Sequence, residues 1–499
     1  MPRITLVREQ SIGKRLLGVR SICMLKYLGC RIKNINTHQI EKVIMDIIKF
    51  RLKNIGRFSE IDVPLAPTIT KTSNVTVFVG GNGAGKTSLL KSLSTSLSWF
   101  VARLKTEKGN GSPISEMIIK NGKSSSSITI EVSDKKGIDF FGGECKRNFE
   151  WVVAKTKRSR KAEYVSELKD ASELANLYRD ILEASPDESL PLIAYYPVER
   201  TVLDIPLKIR SKHTFSQIDG YDNSLNRGVD FRRFFEWFRE REDSENEAGL
   251  SSDVLKKMSE MFGENNLIWD KLNELNASSR DVQLVAVREA IKEFMPGFDN
   301  LRVQRKPRLH MAINKDGETL NVAQLSQGEK SLMALVGDIA RRLAMMNPSL
   351  ENPLLGDGIV LIDEVDLHLH PKWQRTLISR LTGTFKNCQF VLTTHSPLVI
   401  SDYKDVLCYV LDDGELIEES ELYGLDANEV LLGVMDTSIR NESVDRKLKD
   451  LLDAIQDSKF DLSSSLISEL ESDISPTNIE LIKAKLFLKK QILRHEKNN

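Results

Sequence analysis

The chain has 499 residues, enough for two or three compact units. Its 71 basic and 71 acidic side chains cancel, so overall charge gives no argument for nucleic-acid binding. Five scattered cysteines without C-x-x-C spacing speak against a disulfide framework or a zinc site. They fit a reducing cytosol, and no apolar run approaches the roughly 20 residues that cross a bilayer; a cytoplasmic protein with no membrane partner is expected.

Residues 1–44 carry nine basic side chains against Glu9 and Glu41. An Arg-rich, acid-poor start reads either as a targeting peptide or as a poorly ordered extension upstream of a natural start at Met45. Its lack of amphipathic regularity favours the extension. From Met45 the pattern is that of a folded domain. Ile47 to Val63 alternates as a strand, a tight turn at Asn54–Gly56 and a second strand.

Val75 to Val79 is a run of five β-formers, the pattern of a buried strand. It enters Gly80-Gly81-Asn82-Gly83-Ala84-Gly85-Lys86-Thr87, and a helical pattern continues from Ser88. This is G-x-x-x-x-G-K-[ST] between a strand and a helix. Glycines let successive backbone N–H groups turn towards phosphate oxygens, and the helix N-terminus adds partial positive charge. Lys86 is placed to reach the β- and γ-phosphates and Thr87 to ligate Mg²⁺. The candidate ATP-binding set is Gly80, Asn82, Gly83, Gly85, Lys86, Thr87 and Ser88.

Residues 105–127 are rich in Gly, Ser and Lys and read as an exposed hairpin or loop. Leu192 to Arg200 reads as a strand closing on an arginine. Asp230 to Glu242 reads as an amphipathic helix. There Phe234, Trp237 and Phe238 suit core packing, while Arg232, Arg233, Arg239 and Arg241 suit either a basic face for DNA or a partner, or pairing with the interleaved acids.

Leu325-Ser326-Gln327-Gly328-Glu329-Lys330 precedes a long helical pattern and by itself is a helix cap. Gly358 to Ile362 is an apolar strand ending in Asp363 and Glu364. In P-loop enzymes such a strand lies beside the phosphate loop. Its first acid holds Mg²⁺, and the second orients or deprotonates the attacking water. The pair alone also fits a solvated strand end. Asp366, His368 and His370 follow; alternating H-x-H is no ligand set by itself. A helix is expected from Pro371, then a short strand ending at His395, where a neighbouring parallel strand would stand. A histidine there can donate a hydrogen bond to a γ-phosphate.

The phosphate loop, the LSQGEK run, the acidic strand, the Asp366 loop and His395 occur in the order of the ABC-type ATPase superfamily. The resemblance implies a P-loop α/β head that hydrolyses ATP, with two ATP molecules sandwiched between two copies. Ser326, Gly328 and Glu329 would then face the partner's γ-phosphate, Asp366 would lie at the dimer junction, and Glu364 and His395 would be catalytic. The 240 positions between Lys86 and Ser326 exceed what a compact transporter subunit needs. The chain resembles the RecF/SMC/OLD-like branch, and in Leu192–Arg200, Asp230–Glu242 and the EVDLHLHPKWQ segment it is most similar to the PtuA-type ATPases of Septu and retron antiphage defence. That likeness implies control of an associated HNH nuclease of PtuB type, with DNA or a retron reverse transcriptase and its msDNA as further partners. A RecF-like repair and recombination ATPase is the alternative. The glutamine that links Mg²⁺ to the helical lobe in this superfamily has no clear counterpart; Tyr196–Arg200 is the candidate region. No TOPRIM acidic quartet and no H-N-H pattern marks a nuclease in this chain.

The expected division is an extension over 1–44, an ATPase lobe over 45–200 and an inserted helical lobe over 201–300. A second ATPase lobe follows over 301–410. A helical, acidic region over 411–499 is suited to docking a partner.

Overall fold

A computed structural model describes residues 45–134, 136, 147–198, 215–226, 231–248 and 280–498. The 1–44 extension lies outside these residues, as do Glu199–Arg200 and much of the inserted helical lobe. The chain divides into two compact units, one ending at Ser420 and the other running from Glu421.

The first unit opens with β1 (Asp46–Ile55), β2 (Phe58–Pro64), β3 (Val75–Gly80) and helix α1 (Lys86–Lys105). There follow β4 (Ser125–Ser133), β5 (Asn148–Thr156), α2 (Lys169–Ala184) and β6 (Leu192–Tyr196). An antiparallel sheet takes the order β2-β1-β4-β5. Ile55 pairs with Phe58, so the first hairpin turns at Gly56–Arg57, later than the Asn54–Gly56 expectation. Asn54 stays in the strand at φ 56°, a conformation asparagine tolerates, and its side-chain amide donates to the Ser125 carbonyl at 3.1 Å.

The segment 105–127 is less solvated than its composition suggests. A Cβ on Gly109 would lie 2.0 Å from the Ala102 carbonyl, so the loop folds back on α1. Ser125, Ser126 and Ser127 are buried as the start of β4. The sheet, not the local composition, decides their environment.

Next come α3 (Phe231–Ala248), α4 (Val282–Phe294), β7 (Phe298–Gln304), β8 (His310–Lys315), β9 (Glu318–Asn321) and α5 (Gln327–Met346). Strands β7, β8 and β9 form a small antiparallel sheet. On α3, Phe234, Trp237 and Phe238 are buried, as core packing requires. The four arginines of that helix are paired within the chain: Arg232 with Glu236, Arg233 with Asp222, Arg239 with Asp243 and Arg241 with Asp281. Pairing, not a free basic face, accounts for them.

The unit closes with β10 (Gly358–Ile362), α6 (Pro371–Thr384), β11 (Cys388–Thr393), α7 (Pro397–Ser401), β12 (Leu407–Asp412) and β13 (Glu415–Glu419). The central sheet has the order β13-β12-β3-β11-β10-β6. β12, β3, β11, β10 and β6 run parallel, and β13 is an antiparallel edge. Two details depart from expectation. β10 does not neighbour the phosphate-loop strand β3, because β11 runs between them. The chain after 410 is not helical at once, since β12 and β13 complete the sheet.

Helix α5 carries a fully buried ionic group. Asp338 accepts from Arg341 and Arg342 at 2.7 Å each and from the Tyr196 hydroxyl at 3.1 Å. Burial alone would raise the Asp338 carboxyl, but the two guanidiniums outweigh it and hold it below its ordinary range. Arg342 also donates to the carbonyls of Gly220 and Asp222.

The second unit contains α8 (Ala427–Gly433), α9 (Glu442–Gln456), α10 (Phe460–Asp473) and α11 (Ile479–Asn498). Leu448, Leu451, Ile455, Leu470, Leu481, Ala484 and Leu488 form its core. Among the described residues no helix is long and apolar enough to cross a membrane.

Replacing Asp338 by alanine strands two buried cations. Removing one partner of such a pair costs about 3–5 kcal/mol, so the thermal midpoint of Asp338→Ala should fall by several degrees. An unchanged midpoint in calorimetry would show that the arginines find other acceptors.

Candidate functional site

Strand β3 lies inside a parallel sheet, and its five apolar-run residues Val75 to Val79 are all buried. At its end the backbone must turn sharply into α1. Gly85 caps that helix at φ 111°, and a Cβ there would lie 2.7 Å from the Phe58 ring. Gly80 has φ 148°, and its Cβ would meet the Leu411 carbonyl at 2.5 Å. Glycine is required at both ends of the loop. Gly81, Asn82 and Gly83 at its tip are exposed, and Thr87 and Ser88 are half-buried in the first turn of α1.

Lys86 is buried and donates to the carbonyls of Gly80 at 2.7 Å and Gly81 at 3.1 Å. Burial pulls its ammonium below the ordinary lysine range, against the opposing pull of Glu364, Asp363 and Asp366. The sheet therefore brings Lys86 within electrostatic reach of three carboxylates that are far from it in sequence. An ammonium, a helix N-terminus and a turn of backbone amides make a site for a chain of phosphates.

Asp363 is fully buried at the end of β10. Its backbone N–H donates to the Tyr196 carbonyl at 2.9 Å, and its Oδ1 accepts from the Thr393 hydroxyl at 2.6 Å. Its Oδ2 is buried without a hydrogen-bond partner among the described residues. A carboxylate oxygen left so, together with the Thr87 hydroxyl, is a hard-oxygen donor set that fits Mg²⁺. The Glu364 N–H donates to the same Thr393 hydroxyl at 2.7 Å. Glu364 is held at φ 46°, a left-handed conformation unusual outside glycine and typical of constrained sites. His395 Nε2 stands 3.9 Å from Glu364 Oε1, with both side chains partly exposed.

Thr394, the next residue along, donates its hydroxyl to Asp366 and accepts from the Ser396 N–H at 2.9 Å. The Ser396 hydroxyl donates to Gln374 at 2.8 Å. His370 is the N-cap of α6, its Nδ1 accepting from the Lys372 N–H at 3.2 Å, which gives half of the H-x-H pair a structural place.

The LSQGEK run folds as the expected cap. Ser326 and Glu329 form a reciprocal capping box: the Glu329 N–H donates to Ser326 Oγ at 3.3 Å and the Ser326 N–H to Glu329 Oε2 at 3.0 Å. Burial would raise the Glu329 carboxyl, but Lys315 at 2.8 Å and the Ser326 bonds bring it below its usual range. A Cβ on Gly328 would lie 2.3 Å from the His368 carbonyl, so only glycine lets the helix start sit on the loop after the acidic strand. Ser326, Gly328, Leu332, His368 and Trp373 border a cavity of about 300 Å³ there. The contacts of Ser326, Gly328 and Glu329 are thus with Lys315 and His368, while Lys86, Asp363, Glu364 and His395 gather at the phosphate loop.

Two contributors, Thr393 and Arg57, are not apparent from the sequence, and a third, Tyr196, opens the region expected to stand in for the missing glutamine. Thr393 holds both acids, although its residue type is ordinary for a strand. Arg57, in the hairpin turn, has its guanidinium 3.5 Å from where a Cβ on Gly83 would stand. Tyr196 touches Asp363 through its carbonyl and Asp338 through its hydroxyl. The candidate region for the unplaced glutamine therefore begins beside the acidic pair, and its last two residues lie outside those described.

Residues 75–401, from the start of β3 to the end of α7, match a family described as "AAA domain, putative AbiEii toxin, Type IV TA system". The "Retron Vc95 probable ATPase" of Vibrio cholerae serotype O1 biovar El Tor is 33% identical over 422 residues, 79% of this chain and 80% of that protein. The "Retron Ec83 probable ATPase" of Escherichia coli is 31% identical over 503 residues, covering 92% and 90%. A "Septu protein PtuA" of Bacillus mycoides (strain KBAB4) is 40% identical over 99 residues, 20% of this chain and 13% of that one. With its phosphate loop and acidic strand assembled on a P-loop sheet, the chain belongs to this family of AAA-domain ATPases, alongside the retron ATPases.

Proposed function

We propose that the chain is an ATP-operated switch of antiphage defence, in which two copies close on two ATP molecules and their occupancy controls an associated HNH-type nuclease subunit. The observation that carries the ATP reading is the convergence of Lys86 with Asp363, Glu364 and Asp366, with His395 at 3.9 Å from Glu364. The likeness to retron ATPases and to PtuA supports the setting in defence. The nuclease subunit is inferred from that likeness alone, and so are contacts with DNA, msDNA or a reverse transcriptase.

Gly80, Asn82, Gly83, Gly85 and Ser88 shape the phosphate cradle, and Lys86 neutralises the terminal phosphates. Thr87 and Asp363 would hold Mg²⁺, which offsets charge on the transferring phosphoryl group when bound. Glu364 accepts a proton from the attacking water, its position fixed through its own N–H bond to Thr393. His395 Nε2 donates towards the γ-phosphate. Ser326 and Gly328 begin a helix of 20 residues whose N-terminal amides suit a phosphate held by a second copy. Asp366, bonded to Thr394 beside His395, lies on the loop between that helix start and the acidic pair.

Lys86→Ala removes the charge that faces the phosphates. ATP affinity, measured by calorimetry, is expected to fall by about a hundredfold or more, the scale of two lost charge-assisted bonds. Tight binding by this variant would sink the phosphate-loop assignment. Glu364→Gln keeps shape and loses basicity: turnover should drop by about 10²–10⁴-fold with ATP binding intact. ATP should then drive this variant into stable dimers in sedimentation. Monomers at saturating ATP would argue for a one-copy enzyme or a repair-type ATPase with another partner.

Thr393→Val leaves Asp363 Oδ1 and the Glu364 N–H unpaired. Turnover should fall about tenfold or more and demand higher Mg²⁺, while Thr393→Ser restores both. Equal activity of the valine and serine variants would show that the hydroxyl is not needed to place the acids.

A further inference from the structure

The second unit exposes one helix face that its own core does not use. Helix α11 gives Leu481, Ala484 and Leu488 to that core. Elsewhere on its surface Ile479, Ile482, Leu486 and Leu493 are 69%, 41%, 64% and 51% exposed. Their spacing of three, four and seven is the a/d seam of a coiled coil, with Lys489 at the position between Leu486 and Leu493. Leu486, Lys489, Lys490, Leu493 and Arg494 lie side by side on one open face of the helix. Single surface leucines are ordinary, but a continuous seam is the pattern of a surface that receives a helix.

Charge narrows the occupant. Lys483 and Lys485 are paired with Glu480 and Glu471. No acidic side chain pairs with Lys489, Lys490 or Arg494 among the described residues. A second α11 on this seam would set cation against cation, which disfavours self-pairing. Helix α10 of a second copy is acidic, but its Glu469, Glu471 and Asp473 are already engaged by Lys447 and Lys485. A lysine within an apolar seam requires an acid opposite when the seam is covered.

We propose that this face of α11 docks an acidic amphipathic helix of a different protein. Its apolar stripe seats on Ile479, Ile482, Leu486 and Leu493, and its carboxylates meet Lys489, Lys490 and Arg494. Only the identification of that protein with the controlled nuclease subunit rests on the function proposed above; the surface itself does not.

The test uses the full chain and two labelled 21-residue helical peptides with leucine at a and d, one with glutamate at e and g and one with lysine there. Fluorescence anisotropy should show the glutamate peptide binding at least about tenfold more tightly. Leu486→Asp with Leu493→Asp should abolish that binding, and Lys489→Glu, Lys490→Glu and Arg494→Glu together should transfer preference to the lysine peptide. ATP turnover should be unchanged in both variants. Equal binding of the two peptides, or no reversal by the charge swap, overturns the proposal. So does a fall in the chain's own oligomeric mass with Leu486→Asp and Leu493→Asp, which would make a second copy the occupant. Co-expression with an HNH-type nuclease subunit separates the two readings. A subunit retained by the wild type and lost by the aspartate variant supports both. No subunit on the wild type refutes the nuclease reading, while the peptides still decide the surface.

Discussion

The site depends on one hydroxyl. Thr393 sits at the end of β11, donates to the Asp363 carboxylate and accepts from the Glu364 N–H. Both acids follow β10, the parallel neighbour of β11, so the inter-strand register delivers them to the same side chain. The Val365 N–H adds a bond to the Thr393 carbonyl at 2.9 Å. An acidic loop that would otherwise repel itself is thereby held by three hydrogen bonds to one residue, with Glu364 left-handed. Because β11 lies between β10 and β3, the strand that holds the acids also separates them from the phosphate-loop strand. His395 emerges from the same strand end, which is why it reaches Glu364.

Much of this was legible because each motif is a continuous run whose chemistry depends on neighbours in sequence. The phosphate loop could be read because its glycines serve turns within six residues. The helix cap at Ser326 could be read because it lies within one run of six residues. The acids at the end of β10 could be read because an apolar strand stopped at them. Gly328 was legible as part of that motif, but its steric reason was not, since the His368 carbonyl stands 40 positions away.

What stayed hidden is what the sheet brings together from a distance. Thr393 and Asp363 are separated by 30 positions, and nothing in a β-forming threonine marks it as a clamp. The insertion of β11 between β3 and β10 follows from crossover connections, which local pattern does not encode. The serine run at 124–127 departs from its composition for the same reason: polar residues suggest solvent, but pairing with β1 and β5 places three of those serines inside. For the arginines of α3 the sequence leaves a basic face and pairing both open; two pair with acids of the same helix, and the partners of the other two, Asp222 and Asp281, come from other segments.

Tyr196 joins two parts of the molecule that the motifs treat separately. Its carbonyl accepts from the Asp363 N–H at 2.9 Å, and its hydroxyl reaches Asp338 at 3.1 Å, well along the helix that begins at Ser326. Asp338 is itself locked by Arg341 and Arg342, and Arg342 is locked to the carbonyls of Gly220 and Asp222. These bonds tie the helix to β6 and to the 220–222 segment, so rotating it there would separate buried charges from their partners. If Ser326 engages ATP on a second copy, as proposed, the resulting displacement cannot stop at the helix end. It must either be resisted by the Asp338 group or pass through Tyr196 to the residue suited to Mg²⁺. One buried tyrosine thus ties the helix that begins at Ser326 to the placement of Asp363.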